Sequence, residues 1–128
     1  MPLLSIDSSY TECQGGTDFI VRLPENFIAS QITLVDVRVP GRTTPYYIVQ
    51  LECPDMIDHM IHLLGNGTAV PALGKIRYSR EIQDYDVVGC GPYIFPTGPI
   101  NLRQLRIRFL LPNGIPVKGL EWNMVLRV

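Results

Sequence analysis

Between Asn101 and Val128 the chain contains two stretches in which apolar side chains recur at every second position. In the first, Leu105, Ile107 and Phe109 alternate with Arg106, Arg108 and Leu110; in the second, Trp122, Met124, Leu126 and Val128 alternate with Asn123, Val125 and Arg127. In an extended chain successive side chains point to opposite faces, so a period of two specifies a strand with one buried face. Pro112-Asn113-Gly114 falls between the two runs. Proline presets φ there, while Asn and Gly tolerate positive φ, which is turn chemistry. The pattern predicts two strands side by side beneath a shared apolar layer, with Val128 inside the sheet. Neither run carries catalytic apparatus.

The rest of the chain repeats the theme. A short edge strand is expected over 2–7, followed by a polar loop over 8–16. A strand over 17–23 is stopped by Pro24, and one over 32–39 by Pro40-Gly41. Tyr46–Cys53 reads as a strand ended by Pro54. Leu73–Ser79, Val87–Cys90 and Tyr93–Phe95 complete the set. Asp55–Leu64 is the one helical expectation, because Met56, Ile57, Met60, Ile61 and Leu64 fall at helical spacing and Asp55 sits where a cap belongs. Eleven prolines and eleven glycines, spread along 128 residues, punctuate short strands rather than mark a linker. A single all-β domain over 1–128 follows. It is an antiparallel sandwich or a small barrel with one short helix.

Composition narrows the function classes. With 46% hydrophobic and 18% charged residues the chain suits a packed core, and a net charge of -1 gives no general attraction to nucleic acid or membranes. Cys13, Cys53 and Cys90 are odd in number and lack regular spacing, which argues for free thiols in a reducing compartment. The opening Met1 to Asp7 meets an acid too early for a secretory signal, and no apolar stretch reaches the length of a membrane span.

Several constellations invite chemistry. Asp55, Asp58, His59 and His62 form a DxxDHxxH cluster, read as the solvated side of a short helix rather than a metal site. Arg103, Arg106 and Arg108, joined by Arg127 and Arg22, form a candidate basic stripe that suits a protein interface or a wet strand face, with nucleic acid ranked third because aromatic interleaving is missing. Cys90 between two glycines lacks a base beside it, and Asn66-Gly67-Thr68 reads as a turn. Trp122 is large enough to anchor a core or an interface. Tyr46, Tyr47, Tyr85, Tyr93 and Phe95 are candidate interface aromatics, to be buried between subunits. The same aromatics with Asp84, Asp86 and Asn101 offer an alternative: a small ligand- or carbohydrate-binding, lectin-like module. No acid–base or metal set converges, so an enzyme ranks lowest and no cofactor is expected.

Four stretches, in this order, carry a resemblance. They are Ser5–Ser9 followed by Asp18–Pro24; Ile32–Pro40; Tyr47–Pro54; and an ending with Leu102, Leu105, Ile107, Asn113-Gly114 and Trp122 to Val128. Together they resemble the single jelly-roll minor capsid or penton-type vertex proteins of large eukaryotic DNA viruses, Polinton-like viruses and virophages. The resemblance implies a single jelly roll of two four-stranded sheets. It further implies a structural virion protein, made inside the host cell and placed in the capsid. Its partners would be further copies of itself, as a pentamer or trimer, and other capsid proteins such as a major capsid protein. No small-molecule substrate is implied.

Overall fold

The computed structural model describes residues 3–40, 44–52, 60–79, 84–87 and 93–128; within these, the side chains of 25–27, 30, 31, 60, 61, 79, 84–87 and 93–101 are not described. Among the described residues ten strands form: β1 (Leu3–Asp7), β2 (Glu12–Gln14), β3 (Asp18–Arg38), β4 (Tyr46–Glu52), β5 (Met60–Leu63), β6 (Ala69–Ala72), β7 (Gly74–Ser79), β8 (Asp84–Val87), β9 (Tyr93–Leu110) and β10 (Asn123–Arg127). Every pairing is antiparallel. The main sheet runs β1-β10-β3-β9-β4-β7-β8 with β2 on the side of β3, and β5-β6 stand apart as a hairpin.

Two strands are far longer than their sequence punctuation suggests. Pro24 does not stop β3. Instead the β3–β9 register shifts between Arg22 and Phe27, where β3 carries the surplus residues, and again between Ala29 and Gln31, where β9 carries them. Proline cannot donate to a ladder and is tolerated at such irregularities, and Pro24 and Pro99 fall in the two surplus segments. Bulged strands bend, and a bent strand can leave one layer for another. The first part of β3 pairs with the second part of β9 (Phe19 with Ile107), and its second part pairs with the start of β9 (Thr33 with Ile94).

The result is a two-layer sandwich. One layer holds β1, β10, the second part of β3 and the start of β9; the other holds the first part of β3, the end of β9, β4 and β7. Ile6, Ile32, Leu34, Val37, Met124 and Leu126 face inward from the first, and Phe19, Val21, Tyr47, Val49, Ile76, Leu105, Ile107 and Phe109 from the second, in one continuous core. Trp122 joins them, its ring 5.4 Å from both Phe19 and Phe109.

The two C-terminal runs share this core as expected, but they are not neighbours: β3 lies between β9 and β10. Pro112-Asn113-Gly114 does make a tight turn, with the Gly114 N–H donating to the Leu111 carbonyl at 2.8 Å and the Ile115 N–H to Asn113 Oδ1 at 3.0 Å. That turn only folds Pro116 and Val117 back on Leu110 and Phe109. The remaining residues before β10 are too many for a tight hairpin and carry the chain across to the other layer.

The helix expected over Asp55–Leu64 is corrected where it is described. Residues 53–59 lie outside the described residues, and Met60–Leu63 is the strand β5, paired with β6. A short apolar run is ambiguous in period, and Gly65-Asn66-Gly67 decides it by closing a hairpin. Gly67 has φ of +86°, and the Thr68 N–H donates to Asn66 Oδ1 at 3.0 Å. The only helical turn among the described residues is a 3-10 segment at Ser8–Tyr10.

Candidate interaction surface

Alternation on β3, β9 and β4 sends Asp18, Arg22, Gln104, Arg106, Arg108, Gln50 and Glu52 to the outer face of the second layer. The arginines there are matched by acids. The Arg108 guanidinium grips Asp18 with two donors, Nε to Oδ1 at 2.7 Å and Nη2 to Oδ2 at 2.9 Å. Arg106 adds a contact to Asp18 at 3.4 Å and a looser one to Glu52 at 4.0 Å. Arg22 pairs with Glu12 at 3.3 Å and donates to Gln104 Oε1 at 3.2 Å. The bidentate pair is the strong member, because parallel charge-assisted bonds add geometry to attraction.

The acid–base balance follows. Hydrogen bonding from Arg108 holds the Asp18 carboxyl below the ordinary carboxylate range against the opposing effect of burial, and Asp18 in turn raises Arg108. Glu12 raises Arg22 in the same way. Three guanidiniums therefore meet three carboxylates, so this face is a neutral ion-pair grid and not a basic stripe. Arg103 is exposed and joins none of these pairs among the described residues. Arg127 lies on β10, in the other layer.

Next to the grid, the β5–β6 hairpin covers the outer face of β4. Ile48, Leu64, Ala72 and Leu110 form a second small core, and Gln50 Nε2 donates to the Pro71 carbonyl at 2.8 Å. Tyr46 is clasped from two sides, with the His62 ring 6.1 Å away edge-on and Lys75 Nζ 4.1 Å from its centroid. Burial first, and Lys75 second, lowers the His62 pKa.

The aromatic candidates therefore divide. Tyr46 is half-buried and anchors the hairpin. Tyr47 is fully buried against Phe109 and belongs to the core, so it is no contact for a neighbouring molecule. Tyr85 lies on β8 and Tyr93 and Phe95 on β9; their side chains, like those of Asp84, Asp86 and Asn101, are not described. His62 is described, whereas Asp55, Asp58 and His59 of the same cluster lie outside the described residues, as do Cys53 and Cys90. Cys13 is an exposed free thiol. No group of three or more His, Cys, Asp or Glu among the described residues is placed to hold a metal ion.

Composition and periodicity missed a different set of surface residues. Ile28, 81% exposed, sits on β3 between its two irregularities, while Leu63 at the end of β5 and Ile115 beside the Pro112-Asn113-Gly114 turn are 70% and 57% exposed. Leu3 and Tyr10 are also open. For Ile28 the register shifts on either side of it accompany that exposure, which local sequence spacing does not show.

No helix among the described residues is long and apolar enough to cross a membrane. No protein-family model, curated relative or solved structure matches the chain.

Proposed function

We propose that the chain is a structural virion protein: a minor capsid or vertex subunit on a single jelly roll that self-assembles and contacts other capsid proteins. The observation that carries this reading is the order of pairing. Treat β3 and β9 as two strands each, and count β1, the two parts of β3, β4, β7, the two parts of β9, and β10 as one to eight. Strand one then pairs with eight, two with seven, three with six and four with five. Eight also pairs with three, and seven with four. Nested pairs of this kind support the jelly-roll reading, in which one long hairpin wraps into two sheets. β2, β5, β6 and β8 are additions to that plan.

The surface suits assembly. Apolar residues stand open on several turns and edges, and a shell subunit covers such residues with its neighbours. The ion pairs of Arg22, Arg106 and Arg108 leave the patch around Asp18 without excess positive charge, of the kind that binding a nucleic-acid backbone uses.

Size-exclusion chromatography with light scattering, followed by negative-stain microscopy, tests the proposal. The expected result is a ring or compact particle of three or five times the 14.4 kDa of the chain. A protein that stays monomeric at high concentration, alone and with a major capsid protein, refutes it.

A further inference from the structure

At one end of the sandwich the Asp7–Ser9 turn, β2 and the segment leading into β10 surround a cavity of about 510 Å³. We propose that this cavity binds a saccharide, recognised by its hydroxyl groups. The inference does not rest on the capsid reading, because the walls come from a single chain.

The polar wall is of mixed kind. Asp7 accepts the Ser9 N–H at 2.9 Å and the Ser9 hydroxyl at 2.7 Å, both on Oδ1. Its carboxylate is thereby kept ionised, and Glu121 adds a second acid at the rim. Donors face them. Ser8 Oγ accepts the Trp122 backbone N–H at 3.1 Å, which leaves the hydroxyl proton of Ser8 for another acceptor. Asn123 brings an amide. Trp122, 2% exposed, forms part of the wall, and its Nε1 is the one buried side-chain polar atom among the described residues without a hydrogen-bond partner. Buried donors are nearly always satisfied, so an orphan of this kind needs an explanation.

Elimination gives the ligand class. Among the described residues no Lys, Arg or His lines the cavity, so there an anion meets two carboxylates with nothing to offset them. A simple cation could take the oxygens of Asp7, Glu121, Ser8 and Asn123, but no group of three His, Cys, Asp or Glu among the described residues is placed to hold one, and Leu120 and Pro40 would stay uncovered. An apolar ligand strands every polar group. A hydroxyl donates to a carboxylate and accepts from a neighbouring donor at once, while the C–H face of a sugar ring covers Leu120 and Pro40. The volume lies in the range of small-molecule sites.

Trp122 is the only tryptophan of the chain, so its emission reports on this cavity directly. Titrating the full chain with a panel of mono- and disaccharides is expected to give a saturable change in emission for at least one sugar. Glu121→Gln and Asn123→Ala, both at exposed positions, are expected to leave the unliganded spectrum unchanged. Each should weaken binding roughly tenfold, the loss expected for one hydrogen bond to a charged or amide partner. The proposal is overturned if no sugar produces a saturable change in emission or in saturation-transfer NMR. It is also overturned if binding survives both substitutions intact, or if methylammonium binds in place of the sugars. An oligomer that binds no sugar sinks this inference alone, and a monomer that binds one sinks only the capsid reading.

Discussion

Replacing Asp18 by Asn tests the claim that the arginines of the outer face are already committed. The Asp18 side chain is 14% exposed and receives two short bonds from Arg108, itself 37% exposed. Asparagine keeps the size and one acceptor but removes the charge and half of the bidentate grip. A hydrogen bond to a charged group contributes about 1.5–3 kcal/mol, and solvent access on the arginine side screens part of it, leaving about 1–2 kcal/mol. For a domain of this length that corresponds to a fall in Tm of about 5 °C. The pH dependence sharpens the test. The Asp18 pKa lies below its ordinary 3.8 in the folded protein, so its contribution is complete above that value and is lost as pH falls through the lower, folded-state value. Thermal melts of both proteins from about pH 5 to about pH 2 should therefore converge as the wild-type carboxyl protonates. A variant that melts with the wild type at neutral pH, or a gap that stays constant into acid, refutes the reasoning. The arginines would then be free for another partner.

Three further outcomes follow from particular contacts. Gly114→Ala places a side chain at φ of +87° with its Cβ 2.7 Å from Leu64 Cδ1, so a loss of about 1–2 kcal/mol is expected in chemical denaturation. Because the folded state holds His62 below its ordinary 6.5, the unfolded chain takes up the proton first. Stability should therefore fall as pH drops from about 8 to about 5, and His62→Phe should flatten that slope in thermal melts. Ile28→Glu, at a position 81% exposed, should change stability by no more than about 0.5 kcal/mol yet reduce the oligomer seen by light scattering.

Much of the layer structure is legible in the sequence, because burial on one face leaves a period of two. Phe19 and Val21, and Leu105, Ile107 and Phe109, point into the core as their spacing requires; Val37 and Val39 do too, but Val35, spaced to share their face, is 37% exposed where the β10–β3 register shifts. The lengths of β3 and β9 were not legible. Proline reads as a stop when only local hydrogen bonding is considered, and a bulge that absorbs Pro24 depends on a partner strand some eighty residues away. The β5–β6 hairpin was misread for a related reason. Met60, Ile61 and Leu64 fit a helical period as well as a short strand, and the surface that selects the strand is the outer face of β4, where Ile48 receives Leu64 and Ala72.

Why the arginine stripe misled is a question of register. Alternation states correctly that Arg106 and Arg108 face outward, but it is silent about what stands across the ladder. The partner is fixed by pairing Ile20 with Arg106 and Glu52 with Arg106, which places Asp18 and Glu52 on either side of the same row. A two-residue slip along β3 keeps every apolar side chain inside and moves Asp18 out of reach of Arg108, turning the neutral grid into a basic patch. The irregularities around Pro24 and Pro99 set that register, so the charge of the surface is decided at a bend that carries none of the charges. The same holds at the end cavity, where Asp7 and Glu121 come together because β1 pairs with β10. Asp18 with Arg108 and Asp7 with Glu121 each share a surface although they are among the residues farthest apart along the chain, because strands near its two ends pair with each other.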